Sequence, residues 1–353
     1  MEICPIKLVA GKPTYEPLLL NGKSTKTMKK RTLNRLEVSA IGYGCMGLSM
    51  GYGSAPAPQE AIQLIRRAFE LGCTFFDTAE IYAMGANERL VGEALQPLRN
   101  QVAIATKFLL QKDWEGHSRE RLMQALRNRL EASLKRLGTD HVELYYQHRV
   151  NKDIPVEDIA YCMGEFIKEG KIRGWGQSQA TVEEIRRAHA ITPLTAIQSE
   201  YSMMERKFEP DVIPVCEALG IGFVPFSPLA NGFLSGQVKP EAEYTGMDAR
   251  RVITRFDKDN IVANQPLLDL LHQVAADKQA TPAQISLAWM LHKKPFIVPI
   301  PGSRKVHRME ENFGAAAVVL TDAEYAEIER ALAQIEIHGN RTDEDIARLR
   351  TLQ

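Results

Sequence analysis

Asp77, Tyr82, Lys107 and His148 carry the chemistry that the sequence offers most plainly. Asp77 closes an apolar run, Lys107 and His148 each follow one, and Tyr82 lies just beyond Asp77. A phenol ionises near about pH 10 and is a poor acid at neutral pH, but an ammonium beside it favours the phenolate. A partly buried ammonium needs a carboxylate partner, because an unpaired buried charge is costly. An imidazole can hydrogen-bond a carbonyl oxygen and orient it. Gathered in one pocket, the four would move a proton to or from a carbonyl oxygen. Taken singly, each also has an ordinary reading: Asp77 as a helix cap, Tyr82 as a loop aromatic, Lys107 as a solvated strand end, His148 as a structural hydrogen-bonder. The elements that position them decide between these readings.

Eight short apolar runs alternate with helical patterns: residues 41–45, 73–77, 102–106, 142–147, 172–176, 196–199, 221–226 and 296–300. Near-continuous apolar runs of this length suit parallel strands buried on both faces. Between them, Ala61, Leu64, Ile65 and Ala68 form a helical stripe ended by Gly72. Leu122, Leu126, Leu130, Leu134 and Leu137 form another, ended by Gly138. Thr181 with Glu184, Thr281 with Gln284 and Thr321 with Glu324 have capping-box spacing, and Pro282 suits a first helical position. Strand and helix repeated eight times predict an α/β fold, a single-domain (β/α)₈ TIM barrel over residues 28–335. Residues 1–27 are expected to be an N-terminal extension and 336–353 a tail. The long stretch 227–260 reads as a functional loop. In such a barrel the C-terminal strand ends converge on one face, which would gather Asp77, Tyr82, Lys107 and His148.

The average properties exclude several classes. Lys+Arg 44 against Asp+Glu 44 leaves no basic surplus for broad nucleic-acid or anionic-membrane binding. No apolar run approaches the roughly 18 residues of a transmembrane helix. Five scattered cysteines without a C-x-x-C pair fit reduced thiols in the cytoplasm better than a disulfide framework. The histidines lack the spacing of a metal site. Gly42-Tyr43-Gly44-Cys45-Met46-Gly47 matches G-x-G-x-x-G, but it runs into further glycines and prolines rather than a helix. A dinucleotide-binding Rossmann reading is therefore rejected.

Phe76-Asp77-Thr78-Ala79-Glu80-Ile81-Tyr82, Thr106-Lys107, Gln147-His148-Arg149, Phe226-Ser227-Pro228-Leu229 and Pro301-Gly302-Ser303-Arg304 resemble the aldo-keto reductase signatures. The resemblance spans about residue 31 to residue 333. It implies a barrel that reduces aldehydes or ketones with NADPH and contains no metal. It makes Tyr82 the proton donor, Lys107 the ammonium supporting that transfer, Asp77 the holder of Lys107, and His148 the orienter of the carbonyl. Ser178, Gln179 and Gln198 resemble the group that holds the nicotinamide carboxamide; many members carry Asn or Glu where Gln179 stands. Phe226, Ser227, Pro228 and Leu229, with Gly232 and Leu234, resemble the loop along the pyrophosphate.

Gly302, Ser303, Arg304 and Arg308 resemble the 2′-phosphate region, where guanidinium groups suit a dianion, and Glu311 and Asn312 resemble the adenine contacts. Met46 and Trp114 are the expected pocket residues. Residues 248–256 resemble microbial and plant members acting on assorted aldehydes and ketones. Asn151 stands where many relatives have an acid. The implied partner is a small carbonyl substrate, with no nucleic acid and no membrane; no feature sets an oligomeric state. Two rivals share the fold. One is a binding subunit of the channel β-subunit type with little turnover. The other is a Schiff-base lyase using Lys107 as the amine, which leaves the arginines after the eighth run unexplained.

Overall fold

The computed structural model describes residues 28–110 and 118–348. Seven parallel strands follow one another in chain order around a barrel: β3 (Tyr43–Gly44), β4 (Phe75–Asp77), β5 (Ala103–Phe108), β6 (Leu144–Gln147), β7 (Trp175–Ser178), β8 (Ala196–Glu200) and β9 (Gly222–Phe226). The eighth expected run, 296–300, closes the ring without forming a regular strand. On one side Phe223 N donates to Phe296 O at 2.9 Å, Val298 N to Phe223 O at 2.9 Å and Ile300 N to Pro225 O at 3.0 Å. On the other side Gly42 N donates to Pro299 O at 2.9 Å and Gly44 N to Pro301 O at 3.3 Å. Pro299 and Pro301 have no N–H to return, so the bonds to β3 run one way only. The (β/α)₈ barrel is therefore present, with a seam where the ladder is incomplete.

The helices form the outer layer: α1 (Pro58–Glu70), α2 (Ala86–Leu95), α3 (Arg119–Leu137), α4 (Val156–Lys168), α5 (Val182–Ile191) and α6 (Val212–Leu219). After β9 come α7 (Lys258–Ala263), α8 (Gln265–Asp277), α9 (Pro282–Lys293), α10 (Val306–Gly314), α11 (Asp322–Leu332) and α12 (Asp343–Arg348). The predicted stripes are the buried faces: Ala61, Leu64, Ile65 and Ala68 on α1, and Leu122 to Leu137 on α3. Gly138 ends α3 at φ 65, a left-handed cap that a side chain would strain. All three capping boxes form, at Thr181, Thr281 and Thr321. Cys45, Cys73, Cys162 and Cys216 are buried free thiols; Cys4 lies outside the described residues.

One element went unforeseen. The antiparallel hairpin β1 (Lys30–Leu33) and β2 (Leu36–Ser39) turns on Asn34 at φ 55. Its Leu33 and Val38 join Phe75, Leu144, Tyr146, Val224 and Val298 in the apolar interior of the barrel and stopper its N-terminal end. The G-x-G-x-x-G segment has a packing reason instead of a phosphate-binding one. A Cβ on Gly44 would stand 2.8 Å from Ile300 O, so glycine lets β3 meet the closing segment. A short 3₁₀ turn, Met46–Leu48, follows, and α1 begins only at Pro58.

Beyond α11 the chain returns to the C-terminal face. His338 N donates to Asn264 Oδ1 at 3.0 Å, and Asn340 N donates to Thr254 Oγ1 at 2.9 Å. The tail thereby lies against the loops that follow β9. Residues 1–27 lie outside the described residues.

Candidate active site

Alternation along β5 turns Lys107 into the barrel, where it is fully buried. Its ammonium contacts Asp77 Oδ1 and donates to Thr78 O at 2.7 Å. It also stands 3.2 Å from the Tyr82 hydroxyl oxygen. The second Asp77 oxygen accepts from Gln198 Nε2 at 2.8 Å, so the carboxylate is clamped from both sides. Burial works against the Lys107 charge, but Asp77 and the Tyr82 oxygen outweigh it and hold the ammonium above its ordinary value. Burial pushes the Asp77 carboxyl up, opposed by Lys107 and Gln198.

Tyr82 opens a one-turn 3₁₀ segment whose next two residues, Ala83 (φ 47) and Met84 (φ 50), are left-handed. Such conformations are strained for side-chain-bearing residues. Ala83 N donates to Met50 Sδ at 3.4 Å, which ties the turn to the loop after β3. His148 extends β6, its N–H donating to Phe108 O at 2.8 Å. Its ring meets that of Tyr82 edge-on, with centroids 5.8 Å apart. Burial, with the charges of Lys107 and Arg149 adding, drives the imidazole well below its ordinary value. It is therefore neutral at pH 7, and its buried Nδ1 has no partner. The four residues that the sequence singled out meet in one cluster at the ends of β4, β5 and β6.

A supporting layer was not anticipated. The fully buried Glu88 accepts from Thr106 Oγ1 at 2.6 Å and is paired with Arg136. Asn87 accepts from Thr78 Oγ1 at 2.6 Å and donates to Cys45 O at 2.9 Å. Both sit at the start of α2, where a polar residue reads from sequence as a solvated first turn. Only a count of partners for Thr78 and Thr106, which flank the key side chains, would have drawn them in.

The residues expected to hold a cofactor lie across the mouth. Ser178 ends β7, and Gln179 follows at φ 59 with its Oε1 buried and unpartnered. Gln198 ties its amide nitrogen to Asp77, which links the expected cofactor residues to the Lys107–Asp77 pair. Phe226 ends β9. Ser227, Ala230, Asn231 and Gly232 have φ of 48, 48, 58 and 97, in a tight loop with Pro228, Leu229 and Leu234. Asn231 donates to Tyr52 Oη at 2.9 Å and keeps a buried, unpartnered Oδ1.

After the closing segment come Gly302 and Ser303, whose carbonyl accepts from Tyr43 Oη. Arg304 donates to Tyr52 O at 3.0 Å and to Gly47 O and Ser54 O, leaving its Nη2 unpartnered. It thereby staples the loop after β3. Arg308 pairs with Glu311 at 2.6 Å on α10, beside the buried Asn312. Met46 is half-buried at the end of β3. Trp114 lies outside the described residues.

Buried polar atoms without partners are few in folded proteins. Among the described residues such atoms on Tyr145, Tyr146, Gln147, Gln177 and Ser199 lie on the strands themselves, and those of Arg255 and Ser286 lie elsewhere. His148 Nδ1, Gln179 Oε1, Asn231 Oδ1 and Arg304 Nη2, in contrast, belong to segments that follow β6, β7, β9 and the closing segment. That pattern fits a polar ligand with groups to meet them. Among the described residues no cluster of His, Cys, Asp or Glu is placed to hold a metal ion, and no helix is long and apolar enough to cross a membrane.

Comparison with known proteins gives the family. The family described as "Aldo/keto reductase family" matches residues 40–333. The chain is 40% identical over 307 residues to a probable aldo-keto reductase of Glycine max, covering 86% of this chain and 88% of that one. Among solved structures, an aldo/keto reductase from Klebsiella pneumoniae in complex with NADP and acetate is 25% identical, with a TM-score of 0.67 over 89% of this chain and 100% of that one. A glycerol dehydrogenase from Gluconobacter oxydans shares the fold with a TM-score of 0.76 at 24% identity, over 89% of this chain and 97% of that one.

Proposed function

Because the chain belongs to the aldo/keto reductase family, we propose that it is an NADPH-dependent oxidoreductase that reduces small aldehydes or ketones to alcohols, with Tyr82 as the proton donor. The observation that carries this reading is the Lys107 ammonium, clamped by Asp77 and 3.2 Å from the Tyr82 hydroxyl, beside a neutral His148.

When bound, NADPH supplies the hydride. The chain supplies the rest. Tyr82 gives its phenolic proton to the carbonyl oxygen, and Lys107 stabilises the oxygen left behind. Asp77 keeps Lys107 charged and fixed in a site where an unpaired ammonium would be costly. His148, held neutral, donates one N–H toward the carbonyl oxygen and cannot repel Lys107. Ser178 and Gln179 would hold the carboxamide, and the loop from Ser227 to Leu234 would run along the pyrophosphate. Arg308, with Ser303 and the free Nη2 of Arg304, would meet the 2′-phosphate, and Glu311 and Asn312 would meet the adenine. The unpartnered Gln179, Asn231 and Arg304 atoms support that placement.

The test is consumption of NADPH, followed by absorbance, across a panel of aldehydes and ketones. Tyr82→Phe should lower turnover by about 10²- to 10⁴-fold and leave NADPH binding intact. Retained turnover would overturn the acid assignment. Binding of NADPH with no turnover on any carbonyl would point to the regulatory-subunit alternative.

A further inference from the structure

Arg149 stands one residue beyond His148, and apart from the push its charge gives that imidazole the mechanism above does not use it. Its guanidinium reaches in three directions. Nη1 donates to the His148 carbonyl oxygen at 2.7 Å and to Ser178 Oγ at 3.2 Å. Nε and Nη2 grip the Asp343 carboxylate at 2.6 and 3.0 Å. One planar group thus joins the backbone of the carbonyl-orienting residue, a hydroxyl of the carboxamide site, and the C-terminal tail. A fork of fixed donors can span these partners where a point-like ammonium cannot.

The tail end of this link is itself anchored. Arg341 Nη1 donates to Glu200 Oε2 at 3.0 Å and lies 3.7 Å from Asp343 Oδ1. Glu200 ends β8, is 1% exposed, and also accepts from the buried Arg255 at 3.3 Å. The guanidinium carbons of Arg149 and Arg341 lie 6.0 and 5.2 Å from the Phe226 ring centroid. The linked chain therefore runs from β7 through the tail to β8, beside the aromatic ring that ends β9. The Arg149 and Asp343 side chains are 31% and 46% exposed. A pair so open to solvent adds little to global stability, and placement is the better account of it.

Resting on the reductase reading above, we infer that Arg149 is a positioning residue and that the C-terminal tail, through Asp343, holds it in place. The tail is then part of the site: it fixes Ser178 Oγ relative to His148.

The experiment compares wild type with Asp343→Ala, Asp343→Glu, Arg149→Met and the double variant Arg149→Met/Asp343→Ala. NADPH affinity is read by fluorescence titration without substrate, alongside kcat, KM and melting temperature. Asp343→Ala should weaken NADPH binding several-fold and lower kcat by about tenfold, with the carbonyl KM changing less, because misplacement rather than lost contact is the defect. Its melting temperature should stay near that of wild type, and Asp343→Glu should restore most of both losses. The double variant should be no worse than Arg149→Met, as expected when two residues act through one contact. Unchanged NADPH affinity and kcat in Asp343→Ala, or additive losses in the double variant, would overturn the inference. If Arg149→Met fails to fold, the two Asp343 variants decide alone. A wild-type protein that neither binds NADPH nor reduces carbonyls would instead remove the reductase reading. A competent wild type beside an unaffected Asp343→Ala removes only the latch.

Discussion

Two sides of the barrel mouth are built differently. At the ends of β4 and β5 the charges are matched within the protein: Lys107 meets Asp77, Thr78 and Tyr82, and Asp77 meets Gln198. Across the mouth, beyond β7, β9 and the closing segment, Gln179, Asn231 and Arg304 keep buried polar atoms without partners. Left-handed backbone occurs on both sides, at Ala83 and Met84 on the first and at Gln179, Ser227, Ala230 and Asn231 on the second. A proton-transferring group works best when its electrostatics are fixed before the substrate arrives. A cofactor cradle must instead keep donors and acceptors unspent until its ligand satisfies them. On the first side the Lys107 and Asp77 charges are matched before anything binds, and the second side keeps polar atoms that the proposed cofactor would meet.

That contrast should fail most sharply at Lys107. Lys107→Met leaves Asp77 buried beside Gln198 without its countercharge, so activity and stability should fall together. A loss in kcat/KM of about 10³-fold is expected, with NADPH affinity changed far less, since that side keeps its own contacts. Adding Asp77→Asn should recover stability without recovering activity, because it removes the stranded charge. Steady-state rates, NADPH titration and thermal melts of the single and double variants check this. A large loss of NADPH affinity in Lys107→Met would mean that the two sides are not separable.

On the proposed cofactor side the expected effect is smaller and selective. Arg308→Ala should raise the KM for NADPH by about 10- to 100-fold, the cost of a lost charged hydrogen bond, and leave that for NADH nearly unchanged. Equal losses with both cofactors would show that Arg308 supports α10 through Glu311 rather than meeting a phosphate.

The same division explains what the sequence revealed. Asp77, Lys107 and His148 were legible because each ends an apolar run, and barrel geometry turns that sequence position into a shared location. The stripes of α1 and α3 and the three capping boxes were legible for the same local reason. Partners brought together only by folding were not. Gln198 reads from sequence as a cofactor contact, and nothing local says that its amide nitrogen also reaches Asp77, 121 residues away. Arg149 reads from sequence only as part of a motif, since nothing local says that Asp343, 194 residues on, will reach it. The hairpin β1–β2 escaped because its two short strands have little periodicity, and its value lies in what it plugs. The closing segment reads as an apolar run, but its prolines deny it a full ladder.

pH offers a gentler probe of the first side. Folded His148 is held well below its ordinary value by burial, with Lys107 and Arg149 adding, whereas an unfolded imidazole protonates near about pH 6.5. Below that pH the unfolded chain binds the extra proton, so stability contributed by neutral His148 is present above about 6.5 and declines as pH falls. The slope from this one group is at most about 1.4 kcal/mol per pH unit. Melting curves from about pH 7.5 to about pH 5 should therefore be shallower for His148→Gln than for wild type. Parallel slopes would mean that the imidazole is not held neutral.

The smallest effect expected is the one that tests whether strain belongs to the first side. Ala83 follows the proposed proton donor at φ 47 and ψ 45, where a Cβ crowds the following carbonyl. Glycine carries no such penalty but loses more chain entropy on folding, which offsets part of the gain. Ala83→Gly should therefore raise stability by no more than about 1 kcal/mol. If the strained turn also holds Tyr82 against Lys107, the relaxed variant should lose about two- to threefold in kcat while gaining stability, as strained sites do when relieved. A gain in stability with kcat unchanged would assign the strain to the tie between Ala83 N and Met50 Sδ rather than to catalysis. The first side would then owe its order to matched charges alone.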